Sequence, residues 1–277
     1  MTIFTPAING QKTRTYLKKS TTYLLLLLFA FALKYHYSHA SSDNLAWVLS
    51  PTASLVVSVT DLRFVYEAHT GYVSREHSVI IAPSCAGINF MIVALLMAGA
   101  MGISRLKTGG EIIVWLGFTG IGVYLLTLVI NTIRIVGAIY LYEADIGHGW
   151  LTPARVHRLE GIGIYFFALC LFHRVVDYVL TGYHRRESIH APCDEKYRSL
   201  RYGWVPAGWY ILVLVGIPLA NQAFHHHPAH FMEHGLTVII GSALVLFVLF
   251  LIRWVGYRII PWRRSRPQLN HQTRNRQ

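Results

Sequence analysis

Residues 111–134 read EIIVWLGFTGIGVYLLTLVINTIR, and no charged residue falls between Glu111 and Arg134. As a helix rising ~1.5 Å per residue, this run is long enough to cross a hydrocarbon layer of about 30 Å. Working outward, blocks of the same character occupy residues 20–38, 83–102, 159–180, 204–221 and 234–254. A weaker block, Leu45–Val59, contains Pro51 and several Ser and Thr residues. It reads as a short span, a re-entrant segment or an interfacial helix. Across all 277 residues, 53% are hydrophobic and 14% charged, against about 25% charged in an ordinary soluble domain. The expected fold is all-α: a polytopic membrane helix bundle with six spans and one short or re-entrant segment. The integral bundle covers residues 20–254, between basic tails at 1–19 and 255–277.

The formal charge of +12 raises nucleic-acid binding, but its distribution argues against that. With the N-terminus in the cytoplasm and Leu45–Val59 not crossing, the inside segments are 1–19, 103–110, 181–203 and 253–277. They hold Lys12, Arg14, Lys18 and Lys19, then Arg105 and Lys107, then the basic runs Arg185-Arg186, Lys196–Arg201 and Arg253–Arg276. This is the positive-inside pattern of membrane insertion, with cations at lipid headgroups. Both termini are therefore expected in the cytoplasm of a plasma (inner) membrane protein, with no nucleic-acid partner. Tyr23–Leu33 follows Lys18 and Lys19 and precedes the small residues Ser38–Ser42, and it reads as an uncleaved signal-anchor. Cys85, Cys170 and Cys193 fall in three different compartments under this topology, so no intramolecular disulfide is expected.

Three reactive residues share one predicted depth. Ala82-Pro83-Ser84-Cys85-Ala86-Gly87 opens a span, with Pro83 suited to a first helical position and Cys85 expected in the first turn. The free N–H groups of a helix start suit an anionic sulfur. Asn131-Thr132-Ile133-Arg134 closes the next span, and Asn131 and Arg134 share a helix face. Thr152-Pro153 reads as an N-cap and first residue, which sets His157 one turn into the following span. Each has a plain alternative: an inert buried Cys, a snorkelling Arg, an interfacial His bonded to phosphate or to a neighbouring Glu. Together they make an acyl-transfer set, in which the Cys attacks a carbonyl, the His moves protons and the Arg stabilises the oxyanion.

On these pieces the chain resembles the exosortase/archaeosortase family. The resemblance rests on Cys85-Ala86-Gly87 at a helix start, Asn131–Arg134 at a helix end and His157 before another span, over residues 45–180. With one clear span and Leu45–Val59 before the Cys, the chain looks like a short-form member of the exosortase K type. The resemblance implies Cys85 as nucleophile, Arg134 as transition-state stabiliser and His157 as general acid/base. Asn131, Ser84 and Gly87 support them. It implies a cysteine peptidase/transpeptidase at the extracytoplasmic face that needs no cofactor. Its partners would be exported proteins ending in a short motif such as Pro-Glu-Pro, a transmembrane helix and a basic cluster. A thioacyl intermediate would pass to an acceptor.

Other constellations carry other chemistry. His230-Phe231-Met232-Glu233-His234 matches a zinc-peptidase pattern beside His225–His227. It lacks a downstream carboxylate for the third ligand that catalytic zinc needs. His157 and His173 stand about 24 Å apart along one helix, so a haem reading would need separate partners for each. A transporter would call for charges in mid-membrane, and here Lys34, Arg174 and Asp177 lie near span ends, the last two spaced to pair. Gly161-x-Gly163 suits close helix packing.

Overall fold

The computed structural model describes residues 7–75, 79–144, 152–187, 204–216 and 228–259. In chain order, α1 (Ala7–His39) and α2 (Ala46–Thr60) precede three short strands, β1 (Val65–Glu67), β2 (Gly71–Ser74) and β3 (Val79–Ile81). A 3-10 turn, Pro83–Cys85, leads into α3 (Ile88–Arg105), α4 (Gly109–Glu143) and α5 (Pro153–Glu187). A short α6 (Trp204–Gly216) and a long α7 (Pro228–Ile259) follow.

Five helices are long and apolar enough to cross a membrane: Tyr16–His39, Pro83–Arg105, Gly109–Glu143, Arg155–Tyr183 and Gly235–Ile252. They account for five of the six expected spans. The sixth, expected at 204–221, is represented by α6, which is shorter than a span and turns π-helical over Leu212–Gly216. The remainder of that block lies outside the described residues. With 15 residues, α2 reaches about 22 Å, short of a ~30 Å crossing. The chain is a multi-pass membrane protein.

The bundle is organised around α3, whose residues are apolar all round and almost all buried. α1 lies against it, with Tyr23 Oη donating to the Ala100 carbonyl at 3.2 Å and Lys19 Nζ to the Ser104 carbonyl at 3.1 Å. α4 packs on another side. Its Trp115 Nε1 donates to the Ala98 carbonyl at 3.0 Å, and the indole fills the place a Cβ on Gly102 would take. α2 rests on α4, where Tyr124 Oη donates to the Trp47 carbonyl at 2.8 Å. The outward faces of α1, α4 and α7 carry Leu24, Phe31, Ile113, Phe118, Leu244 and Phe250, all exposed. Apolar surface of this extent suits lipid rather than water.

Local signals set the helix ends. Thr108 caps α4 in a capping box with Glu111, whose N–H donates to Thr108 Oγ1 at 3.3 Å. Thr152 accepts from the Arg155 N–H at 3.4 Å, and Pro153 is the first residue of α5, as its sequence suggests.

The sheet departs from an all-α reading. β1, β2 and β3 form an antiparallel meander pairing Tyr66 with Tyr72 and Tyr72 with Ile81. The strands are three or four residues long, too short for a period-2 pattern to stand out from the apolar background. Gly71 holds φ 121, and a Cβ there would meet the Ile81 carbonyl oxygen at 2.3 Å. This close approach lets β2 and β3 pair beside the turn that carries Cys85.

Candidate active site

Two helix starts and the body of a third helix meet on one side of the bundle; Asn131–Arg134 does not close α4, which runs on to Glu143. The 3-10 turn before α3 brings Cys85, the late turns of α4 bring Asn131 and Arg134, and the first turns of α5 bring His157 and Glu160. Cys85 does not sit in the first turn of α3, as the Pro83 signal suggests. The helix begins only at Ile88, because Gly87 takes the left-handed conformation (φ 70) and breaks the run. A side chain at 87 would be strained there, and its Cβ would press on Thr127 at 3.1 Å and Asn131 at 3.2 Å. The turn is held by the Cys85 N–H donating to the Ala82 carbonyl at 2.8 Å. Cys85 is half-buried, while Ser84 is exposed on the turn, apart from the network that follows.

Asn131 ties the turn to the helices. Fully buried, it donates through Nδ2 to the Cys85 carbonyl and accepts at Oδ1 from Tyr165 Oη at 2.7 Å. Tyr165, on α5, stacks on Phe90 of α3 with ring centroids 5.3 Å apart. One residue from each of three helices thus fixes where the sulfur sits, through a paired buried amide.

Arg134 is no headgroup anchor. Its guanidinium lies over the Tyr165 ring, 5.5 Å from the centroid, and Nη2 is 2.8 Å from His157 Nε2. It also lies within electrostatic range of Cys85 and Glu160. A guanidinium has donors only, so His157 Nε2 accepts and the neutral ring carries its proton on Nδ1. That nitrogen faces Glu160, with Oε2 at 3.8 Å.

Two glycines make this geometry possible across the α4–α5 seam. A Cβ on Gly161 would stand 2.8 Å from Arg134 Nε, and one on Gly137 would stand 2.9 Å from Glu160 Oε1. Gly161 therefore seats the arginine, which is more specific than general close packing, whereas Gly163 has nothing within 4 Å. Arg134 Nε and both Glu160 oxygens are buried without a hydrogen-bond partner among the described residues. Tyr165 and Glu160 escaped the motif reading. Glu160 stood in the sequence only as a neighbour of His157, and Tyr165 only as one of 16 tyrosines.

From α1, Lys34 Nζ donates to Asn89 Oδ1 at 2.8 Å and lies over the Tyr37 ring at 5.3 Å. Near the opposite end, Asp177 takes Arg105 of α3 as an ion-pair partner at 2.6 Å, a longer-range contact than the Arg174 spacing suggests. Cys170 is buried within α5. Among the described residues, no three His, Cys, Asp or Glu side chains gather to hold a metal. His225–His227, the side chains of His230 and His234, and Cys193 lie outside the described residues.

An acyl-transfer reaction needs a nucleophile, a proton carrier and oxyanion donors around one reacting atom. Cys85, His157 and Arg134 have those chemistries, and they are partly buried, with Arg134 bonded to His157 and within electrostatic range of Cys85. No curated protein and no solved structure matches the chain. The family model for transmembrane exosortases matches residues 10–174, more than half of the chain. The chain therefore belongs to the transmembrane exosortase family, membrane transpeptidases that act on exported proteins bearing sorting signals.

Proposed function

We propose that this exosortase cleaves a C-terminal sorting signal through a thioacyl intermediate on Cys85 and transfers the exported protein to an acceptor. Arg134 stabilises the oxyanion and His157 carries the protons. The observation that carries this reading is the convergence of three helical segments on one network, with Asn131 bonded to the Cys85 carbonyl and Arg134 to His157.

The steps follow from the donors and acceptors. As Arg134 turns its donors from Nε2 toward the carbonyl oxygen, the freed Nε2 takes the thiol proton. The sulfur attacks the scissile carbonyl carbon, and the carbonyl π electrons move onto the oxygen that Arg134 now bonds. Collapse breaks the C–N bond, the departing amine takes that proton, and a thioester remains. An acceptor nucleophile gives its proton to His157, attacks the thioester and releases the Cys85 sulfur. Asn131 and Gly87 hold the turn in register, and Ser84 faces the approaching chain.

The bilayer sets the substrate geometry. A signal made of a short motif, a membrane helix and a basic cluster would span beside the bundle, with its scissile bond at the helix end level with Cys85. Basic residues at 103–110, 181–203 and 253–277 favour the cytoplasm, which puts Cys85 at the extracytoplasmic face and both termini inside. One clear span and α2 before Cys85 fit a short form of the exosortase K type.

The test is co-expression with a tagged substrate. Cys85→Ala and Cys85→Ser are expected to abolish processing, Cys170→Ala to leave it intact, and mass spectrometry to find the substrate acyl group on Cys85. Processing retained by Cys85→Ala would remove the nucleophile from the scheme. A membrane-impermeant thiol reagent applied from outside should label Cys85, and labelling only after lysis would reverse the topology.

A further inference from the structure

We propose that Glu160 is a positioning residue for His157, holding the imidazole by its Nδ1 side and supplying the counter-charge when the ring accepts a proton. The inference rests on the acid–base role given above to His157, and it adds a fourth member to that set.

Arg134 Nη2 lies 2.8 Å from His157 Nε2 and can only donate, so the neutral ring must present Nδ1–H on its other side. Facing it is the Glu160 carboxyl group, one turn further along α5, with Oε2 3.8 Å from Nδ1. The gap exceeds a hydrogen bond by under about one ångström. Catalytic hydrogen bonds are often long before substrate binds and tighten in the complex.

The second observation is the state of the carboxylate. Its side chain is 9% exposed, and neither oxygen has a hydrogen-bond partner among the described residues. Burying an unbonded carboxylate is costly, so a position retaining one needs a reason. Helix packing gives none, because space for Oε1 exists only where Gly137 of α4 lacks a side chain. Arg134 is within electrostatic range, yet its own Nε is also left without an acceptor. Arginine, imidazole and carboxylate thus form a row in which the ring lies between donor and acceptor.

The row explains a problem in the proposed chemistry. When His157 takes the Cys85 proton on Nε2, an imidazolium forms directly beside the Arg134 guanidinium. Two adjacent cations in a half-buried site repel strongly. Glu160 offsets this by receiving the Nδ1–H of the charged ring, while Arg134 moves its donors to the oxyanion. No net proton is gained or lost by Glu160.

The full-length protein in lipid nanodiscs tests this with three variants in parallel. Glu160→Gln keeps the shape and removes the charge. We expect its single-turnover rate of substrate thioester formation at saturation to fall about 10-fold or more, as for other residues that orient a functional histidine. The half-saturating substrate concentration should stay within about twofold, because the side chain acts through His157 and not on the substrate. Glu160→Asp keeps the charge and should be faster than Glu160→Gln, with a similar thermal midpoint. A purely packing role reverses that order, since Gln is the closer match in shape. Glu160→Gln reacting at the wild-type rate, or faster than Glu160→Asp, overturns the inference. Cys85→Ala separates the two levels. If it is inactive while Glu160→Gln is fully active, only the role of Glu160 falls. If Cys85→Ala still processes substrate, the nucleophile assignment falls first.

Discussion

Two arginines are paired with two buried acids near opposite ends of the same bundle, and they are not alike. Arg105 of α3 meets Asp177 of α5 at 2.6 Å, a closed ion pair. Arg134 of α4 meets His157 rather than the nearby carboxylate, and its Nε and both oxygens of Glu160 are left unbonded among the described residues. Buried polar groups are nearly always satisfied, because an orphaned one loses its water without replacement. The Arg105–Asp177 pair obeys that rule and behaves as a clasp between α3 and α5. The Arg134–Glu160 group keeps unused donors and acceptors, which is what a site needs if charge is to appear there later and find partners already in place.

The comparison is tested hardest by exchanging each arginine for lysine. Arg134→Lys retains charge but loses the planar fork that bonds His157 and, in the proposed reaction, turns to the oxyanion. Loss of one such donor typically costs about 10²–10³ in rate. We expect processing of a tagged substrate to fall by at least about 10²-fold. Arg105→Lys should leave processing within about threefold, because the Arg105–Asp177 pair lies away from Cys85 and keeps its charge. An equal loss in both variants would mean that the two ends are not functionally distinct.

A weaker perturbation reaches the same arginine indirectly. Gly161→Ala would bring a methyl group 2.8 Å from Arg134 Nε. The side chain must shift by a few tenths of an ångström or more, and misplacement on that scale lowers rates steeply. We expect about a 10-fold loss of processing with little change in thermal midpoint, because the clash falls on a flexible side chain. The matching change at the clasp is Asp177→Asn, which should act on stability rather than on rate. Removing one partner of a buried pair costs about 3 kcal/mol or more, so the thermal midpoint should drop while the surviving protein processes normally.

The site was legible in sequence to the extent that helix ends are. Pro83 and Thr152-Pro153 mark helix starts, and a membrane of fixed thickness forces such ends to a common depth; Asn131–Arg134 was expected to close a helix that runs on to Glu143. Depth is one coordinate of three. What sequence could not supply was the lateral arrangement, which depends on Gly137 and Gly161 facing each other's charged neighbours across α4 and α5. Helical spacing also misplaced Cys85 by a few residues, since one left-handed glycine at 87 ends the 3-10 turn and starts the helix anew. The β meander escaped because its strands are short and lie in a stretch without strong alternation. The Asp177 partner escaped because i,i+3 spacing points to Arg174, whereas Arg105 arrives from another helix.

The smallest expected effect is the most exacting check on how the seam works. Gly161 and Gly163 are two residues apart on α5, and composition treats them alike. A Cβ at 163 meets nothing within 4 Å, whereas one at 161 meets the arginine. Gly163→Ala should leave processing within about twofold. It should also stabilise the helix slightly, because alanine restricts the unfolded chain and favours the helix by up to about 1 kcal/mol. The pair therefore separates two explanations of the same motif. If the glycines serve only to let helices approach, both substitutions should lower stability and leave the chemistry alone. If Gly161 seats Arg134, the two variants should part company: one loses rate without stability, the other gains a little stability without losing rate.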